Sequence, residues 1–508
     1  MRNKKAHIYY TMFISFISVL LNCFINLYLT PKVTNTVGIE AYGFVSLAKN
    51  FVLYVNIVMT ALNSYAARFM SIAYLQGFKD EFKSFFSTVF IADLIIGGLI
   101  FIVGLFCIGN INNLLNISPD LVSSVRLLFL LTFSAFYLTT ISTVFLATGY
   151  VKDRLDLVNM VKGISYIIEI IVLIFCYFIL KPSVWYVGLA TFAAAFIVFL
   201  GTVYMTKKLI PDNQISIGAF SIQALKKLVI NGIWNSANNL GNALNSGLDL
   251  IITNLMLNAV GMGQISVAKT ISNLIYTIYA TISQPFQPSL LQSYSSGDKT
   301  TLVKELRYVM KVCGILTNVI YAGFCIVGLQ FYKLWIPTQN IELIYVLTVL
   351  SMLPCITEGC MYPLYYVYTL TVKNRIPCII TIIGGLLNVL GMVILLKFTS
   401  IGIYSIVITT AVIMNFINLV TNPLYISHCL KLKKTTFYPD IIMNIIACGI
   451  TIISFKITSF ILPCIDNWFL LIGEVVVYGI IGIVLQAIIL LRPSELINII
   501  YKVRKRLK

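Results

Sequence analysis

The sequence predicts an all-α polytopic membrane protein with fourteen transmembrane helices, built as two parallel-repeat six-helix lobes plus an extra helix pair. Three observations carry this prediction. Hydrophobic residues make up 59% of the 508 and charged residues 11%, against roughly 45–50% and about 25% in soluble globular chains. Apolar stretches of about twenty residues, the length that crosses hydrocarbon, recur from end to end. Lys and Arg gather in alternate connections. A soluble chain of this size could not hide so much apolar surface, and the mean hydropathy is +0.92; the solvent is lipid. So few charged groups also exclude a disordered or nucleic-acid-coating protein. The net charge of +18 then marks loops held on the cytoplasmic side, not a nucleic-acid partner.

In chain order the apolar segments are 8–29, 42–66, 84–107, 122–147, 158–180, 184–205, 229–256, 263–290, 308–331, 341–369, 376–396, 402–427, 440–462 and 468–491. The first follows Arg2, Lys4 and Lys5 as a signal peptide would. Its run is too long, however, and no small-x-small cleavage site closes it, so it is read as an uncleaved first helix. The longest polar connection spans only Lys207 to Lys227, which leaves no room for a soluble domain. The expected organisation is an N-lobe over 1–206, a cytoplasmic linker over 207–228, a C-lobe over 229–430, and helices 13 and 14 with a basic cytoplasmic tail over 431–508.

With both termini inside, 28 of the 36 Lys and Arg fall in inner connections and tails. Four (Lys32, Lys181, Lys333, Lys397) fall outside and four (Lys49, Arg126, Lys269, Lys456) at membrane depth. Such an asymmetry over short loops fixes orientation. Trp185, Trp335 and Trp468 sit at expected outer helix ends and Trp234 near an inner one, where interfacial aromatics belong. The eleven cysteines lie mostly within helices, with Cys464 nearly alone outside. No disulfide framework is implied; they read as small apolar fillers.

An internal repeat links the halves. "NTVGIEAYGFVSLAKN" at 35–50 resembles "NAVGMGQISVAKTISN" at 258–273, with an offset of 223 residues, and "VKDR" at 151–154 matches "VKNR" at 372–375, with an offset of 221. Gly163 matches Gly384, and Gly77 with Asp80 falls opposite Gly297 with Asp298. An offset of six helices preserves topology, so the halves are related by an axis along the membrane normal. This is an architecture of alternating-access transporters. Helices 13 and 14 have no counterpart.

Enzymatic signatures are missing. No G-x-x-x-x-G-K-[ST] occurs, and Gly261-x-Gly263 has neither a third glycine nor a preceding strand. His7 and His428 lack ligand-type neighbours at metal spacing, so no metal site or cofactor is expected. The protein reads as a non-enzyme.

Polar residues in hydrocarbon are costly and must face protein or water. In the seventh segment Asn235, Asn238, Asn242, Asn245 and Asp249 step by 3, 4, 3 and 4, which places five polar side chains on one helical stripe. Amides at this density suit sugar hydroxyls or ordered water, or else glue helices together. Asn22 and Asn26 are the matching polar pair of the first segment. Lys49 and Lys269 lie on repeat-related helices at similar depth, and a cation there needs water or a partner. Their pairing suggests an anion-attracting cavity, with snorkelling or neutralisation of Lys269 by Asp249 as alternatives. Arg126, one turn from an outer helix end, reads as an interfacial residue and as a secondary candidate for anion binding. Asp93, Glu169, Glu358 and Glu474 are the other intramembrane acids, with no partner identified by sequence.

"VGIEAYGFVSLAKN", "GLDLIITNLMLNAVGMGQISVAK" and "ISQPFQPSLLQSYSSGD", in their order and spacing, resemble the polysaccharide-export flippases. These are Wzx-type members of the multidrug/oligosaccharidyl-lipid/polysaccharide exporter superfamily, and the fold implied is MATE-like. The resemblance implies translocation of an undecaprenyl-diphosphate-linked oligosaccharide from the cytoplasmic to the outer leaflet of a bacterial inner membrane. It would serve O-antigen, capsule or a related glycan. The implied partners are that lipid-linked glycan and membrane lipids, with a polysaccharide polymerase and glycosyltransferases downstream and upstream; the chain is read as a monomer. The family's cationic cavities match Lys49 and Lys269 here. Either a downstream sink or a coupling ion, H+ or Na+, acting through an acid such as Asp249, would drive the cycle. A lipid II flippase and an ion-coupled multidrug antiporter of the same superfamily are the alternatives; two lysines at depth weigh against an organic-cation exporter. A membrane-embedded glycosyltransferase would need an acidic outer loop, and only Glu40, Asp120, Glu342 and Asp466 lie outside.

Overall fold

A computed structural model describes residues 2–211, 215–371, 373–462, 465–491 and 493. The basic tail over 494–508, with Arg492, Cys464 and Val372 of the "VKNR" repeat, lies outside the described residues.

The described elements are helical, and each of the fourteen expected segments coincides with a helix or a broken helix. The first six correspond to α1 (Arg2–Thr36), α2 (Ile39–Asn63) with its continuation α3 (Ala66–Leu75), α4 (Lys79–Gly109), α5 (Val122–Val151), α6 (Leu155–Ile179) and α7 (Trp185–Leu209). Segments seven and eight become α8 (Ile222–Ser246) with α9 (Asp249–Met256), and α10 (Ala259–Ser283) with α11 (Gln287–Ser295). The remainder are α12 (Lys299–Trp335), α13 (Ile341–Met361), α14 (Arg375–Phe398), α15 (Tyr404–Phe416) with α16 (Asn422–Cys429), α17 (Tyr438–Thr458) and α18 (Trp468–Leu490). Among the described residues eleven helices are long and apolar enough to cross a membrane. Segments one, seven and eight, the other three expected spans, are helical but are not among these eleven.

The breaks follow proline and the satisfaction of backbone groups. Pro285 and Pro288 interrupt segment eight with a 3-10 turn over Gln284–Phe286, because a ring nitrogen cannot donate to the preceding turn. Between α15 and α16 a π-helical turn, Ile417–Thr421, precedes Pro423 and absorbs its missing donor. Segment seven is not the single helix expected over 229–256. It stops at Ser246, and the freed Gly247 carbonyl accepts hydrogen bonds from Asn50 Nδ2 at 3.2 Å and from the Tyr54 hydroxyl of α2.

The chain divides into two compact units, Met1–Ser266 and Val267–Lys508, with the division inside α10. In the first unit α8 runs antiparallel to α2 at very short range. A Cβ on Gly232 would lie 2.0 Å from the Ala61 carbonyl oxygen, so only glycine fits this crossing. Ser236 Oγ donates to the Ile57 carbonyl at 2.6 Å, and Asn239 Nδ2 to Thr60 Oγ1 at 3.0 Å. Small and polar residues are the means by which helices associate in lipid, where apolar burial gives no driving force. The connection before α8 is pinned to α4 by hydrogen bonds from Ser216 N to Ser87 Oγ (3.2 Å) and from Ser221 N to Thr88 Oγ1 (3.0 Å).

In the second unit α12 packs against α13, α17 and α18 through a buried amide network. Asn318 Nδ2 donates to the Asn444 carbonyl and to Asn444 Oδ1, both at 3.0 Å, and to Gln486 Oε1 at 3.2 Å. Gln486 Nε2 donates to the Ala447 carbonyl (2.9 Å) and Thr451 Oγ1 (2.7 Å), and Asn444 Nδ2 to the Ile356 carbonyl (3.0 Å). These groups hold the pair without a repeat counterpart, α17 and α18, to the rest of the unit.

Candidate functional site

The site starts from one face of α2. Lys49, Val52, Asn56, Met59, Asn63 and Ser64 recur at helical spacing and line a cavity of about 500 Å³ in the first unit. Thr132, Thr139, Thr140 and Thr143 of α5 and Thr191 of α7 line the facing walls. Threonine suits this place, because its hydroxyl can return a hydrogen bond to its own helix and remain an acceptor toward the cavity. Thr139 Oγ1 donates to the Ala135 carbonyl at 2.8 Å and Thr143 Oγ1 to the Thr139 carbonyl at 3.3 Å. The wall therefore presents oxygen lone pairs beside one ammonium group.

Lys49 is exposed to the cavity while surrounded by protein. Its electrostatic partner is Glu169 of α6, whose carboxylate also accepts a hydrogen bond from Thr191. A second acid lies behind the wall. Asp93 of α4 is fully buried, and its Oδ1 accepts from Asn63 Nδ2 at 2.8 Å. Sequence reasoning named Asp93 and Glu169 as acids in the membrane without assigning them partners; it missed Asn56, Asn63 and the threonine wall altogether. The signal for the threonines, at 132, 139, 140 and 143 and so within reach of one helical face, is present in α5 but is weak amid ordinary transmembrane composition.

The seventh-segment stripe divides. Asn235, Asn238 and Asn242 are exposed, whereas Asn245 and Asp249 are buried on either side of the helix break. Asn245 Nδ2 donates to the Gly241 carbonyl at 3.0 Å. The five side chains thus do not form the one continuous stripe expected of a single helix. The face turned to α2 is the adjacent one, carrying Gly232, Ser236 and Asn239. Lys269 is half-buried on α10 and belongs to the second unit. Arg126 does not line the cavity; its Nη2 donates to the Gly109 carbonyl at 3.3 Å, capping the end of α4 where unpaired carbonyls and the helix dipole favour a cation. Asn26 Nδ2 donates to the Asn22 carbonyl at 2.9 Å, and Asn22 also bonds Tyr166 of α6.

In the second unit Glu358 is hydrogen-bonded to Tyr279. Around it Tyr276, Tyr279, Tyr362, Tyr365 and Tyr368 pack ring to ring at centroid separations of 5.2 to 6.3 Å. Among the described residues no group of three or more His, Cys, Asp or Glu could hold a metal ion.

A helical membrane protein with a lysine, asparagines and threonines around a cavity inside one bundle of helices is the class these features define, and the solved structures agree on the fold. The chain superposes on a lipid II flippase, MurJ, in an inward closed conformation with a TM-score of 0.68 at 15% identity, covering 94% of this chain and 98% of that one. It superposes on an inward-facing multidrug resistance MATE transporter of the MOP superfamily with a TM-score of 0.66 at 15% identity, covering 83% and 98%. The fold is the one these MOP-superfamily proteins share. In sequence the chain is 26% identical over 449 residues to the uncharacterized membrane protein EpsK of Bacillus subtilis (strain 168), covering 88% of each. No family model matches the chain.

Proposed function

We propose that the protein is a flippase that carries an undecaprenyl-diphosphate-linked oligosaccharide from the inner to the outer leaflet for assembly of a surface glycan. The observation that carries this reading is Lys49, set in a cavity whose walls carry five threonines of α2 and α5, Thr191 of α7 and two asparagines among apolar side chains. An ammonium group attracts a diphosphate, and hydroxyl and amide oxygens accept from sugar hydroxyls. The headgroup is too polar for hydrocarbon and needs such a lining, while its polyprenyl tail stays in lipid. The fold shared with a lipid II flippase supports this size and chemistry of cargo. On this reading Glu169 is the electrostatic partner of Lys49 in the empty cavity, Lys269 is the corresponding cation of the second unit, and Asn235, Asn238 and Asn242 offer further polar contacts. Asn245 and Asp249 support the turn between α8 and α9, and Arg126 serves as an interfacial anchor. Both termini are cytoplasmic, and a polymerase takes the product away.

The test is surface-glycan export in cells producing normal levels of each variant. Lys49→Gln is expected to cut export about tenfold or more, as loss of a charge-assisted contact does. Lys49→Arg retains part of the export, since charge persists with altered geometry. Lys49→Glu is worse than Lys49→Gln, because it sets a like charge against the diphosphate. Wild-type export by Lys49→Glu would overturn the reading. Loss of cell-wall synthesis with surface glycan intact would assign lipid II as the cargo instead.

A further inference from the structure

A second cavity, of about 400 Å³, lies in the second unit where α12 and α17 end and α18 begins, near Trp335 and Trp468, and plays no part in the reading above. Three of its lining groups are acceptors left open. Glu474 is 6% exposed and Tyr478 2%. Glu474 Oε1, the Tyr478 hydroxyl and Gln330 Oε1 have no hydrogen-bond partner among the described residues. Buried polar atoms without partners are costly, so the cavity is built for something that donates. Two cations stand at its mouth, since Lys333 and Lys456 occupy the last turns of α12 and α17 and are exposed. Glu474 sits six residues into α18, about 9 Å below Trp468 along the helix axis. Charge is therefore layered, with cations at the rim and acceptors beneath.

We propose that this cavity binds the phosphoethanolamine headgroup of a membrane phospholipid. A primary ammonium carries three N–H donors, and the cavity holds three open acceptors in Gln330, Glu474 and Tyr478. The phosphate of the same headgroup then lies between Lys333 and Lys456. A lipid is the source because the outward faces of α17 and α18 are apolar and exposed. Ile453 and Ile457 of α17, 62% and 60% exposed, and Ile472 of α18, 59% exposed, offer a surface for acyl chains beside the mouth. A quaternary ammonium has no N–H to give, and a glycerol headgroup has no charge for Glu474.

The experiment is native mass spectrometry of the delipidated full chain, titrated with phosphatidylethanolamine, phosphatidylcholine, phosphatidylglycerol and the chain-free ester glycerophosphoethanolamine. Phosphatidylethanolamine is expected to bind about tenfold tighter than phosphatidylcholine, the difference made by charge-assisted hydrogen bonds. E474Q should erase its advantage over phosphatidylglycerol, whereas Lys333→Gln with Lys456→Gln should weaken both lipids alike. Thermal unfolding checks that E474Q is folded, and Y478F, which keeps the ring packing, provides a second variant with the same direction of effect. Equal binding of ethanolamine and choline lipids, or an unchanged preference in E474Q, overturns the site. Binding of glycerophosphoethanolamine as tight as the lipid's overturns the lipid as its source. The readout is lipid binding, so it stands or falls independently of glycan export.

Discussion

Two sets of helices, one in each unit, use polar groups at membrane depth for opposite purposes. Along α2 of the first unit, Lys49, Asn56 and the threonines of α5 turn their polar atoms toward open space. Across α12, α17 and α18 of the second, Asn318, Asn444, Thr451 and Gln486 are all 2% exposed or less and donate to one another and to backbone carbonyls. A polar side chain in a membrane protein is therefore not by itself a ligand contact; what separates a lining from a joint is whether it faces open space or a polar group of another helix. The α2–α8 crossing shows both on one pair of helices, since Ser236 and Asn239 are joints while Asn235 and Asn238, one position away, are exposed.

Four substitutions would break or sharpen this contrast. The largest effect is expected at the closest joint. Gly232→Val would drive a side chain into the Ala61 carbonyl and is expected to cost about 3 kcal/mol or more, as overpacking does; a thermal unfolding midpoint in detergent unchanged from wild type would show that α2 and α8 can part freely. Next comes the amide network. Asn318→Leu removes the donor to Asn444 and Gln486 and is expected to cost roughly 1–3 kcal/mol, whereas Asn235→Leu on the exposed face should change stability by less than about 0.5 kcal/mol. Equal losses at the two asparagines would erase the distinction between joint and lining.

The smallest effect lies outside the membrane, at the cap of α12. Asp298 accepts from the Thr300 and Thr301 hydroxyls and backbone amides, and these bonds hold its carboxyl well below its ordinary value of 3.8. A depressed carboxyl contributes stability that is present above the ordinary value and lost as pH falls below it. Asp298→Ala should therefore lower the unfolding midpoint slightly at neutral pH, with the gap to wild type closing on acidification. A gap that widened in acid would contradict the capping role.

The fold was legible because a bilayer demands about twenty apolar residues per crossing, and each of the fourteen apolar runs lies on a helix. Local interruptions were less so. The Gly247 break depends on Asn50 and Tyr54 being in place to receive its carbonyl, and those residues lie almost 200 positions earlier in the chain. The candidate site was half legible. Lys49 stood out because a cation at depth is rare, but its partner Glu169 lies on a helix that only packing brings near. The 3-4-3-4 spacing of α8 found a helical face, yet period alone cannot say which flank meets a neighbour. Gly232 decides that by admitting α2 on the adjacent flank. The network around Asn318 left no pattern in sequence, since its members sit on separate helices.

The pairing of Lys49 with Glu169 has an electrical corollary for the proposed flippase. The two opposite charges cancel, so an empty cavity crosses the membrane field without net charge from this pair. A loaded one carries the diphosphate's negative charge, and each elementary charge moved through 100 mV is worth about 2.3 kcal/mol. In a cell that is negative inside, voltage drives the anion outward and leaves the empty return unaffected. Membrane potential alone would thus rectify the cycle toward export, and collapsing it with an ionophore would slow the loaded step and spare the return.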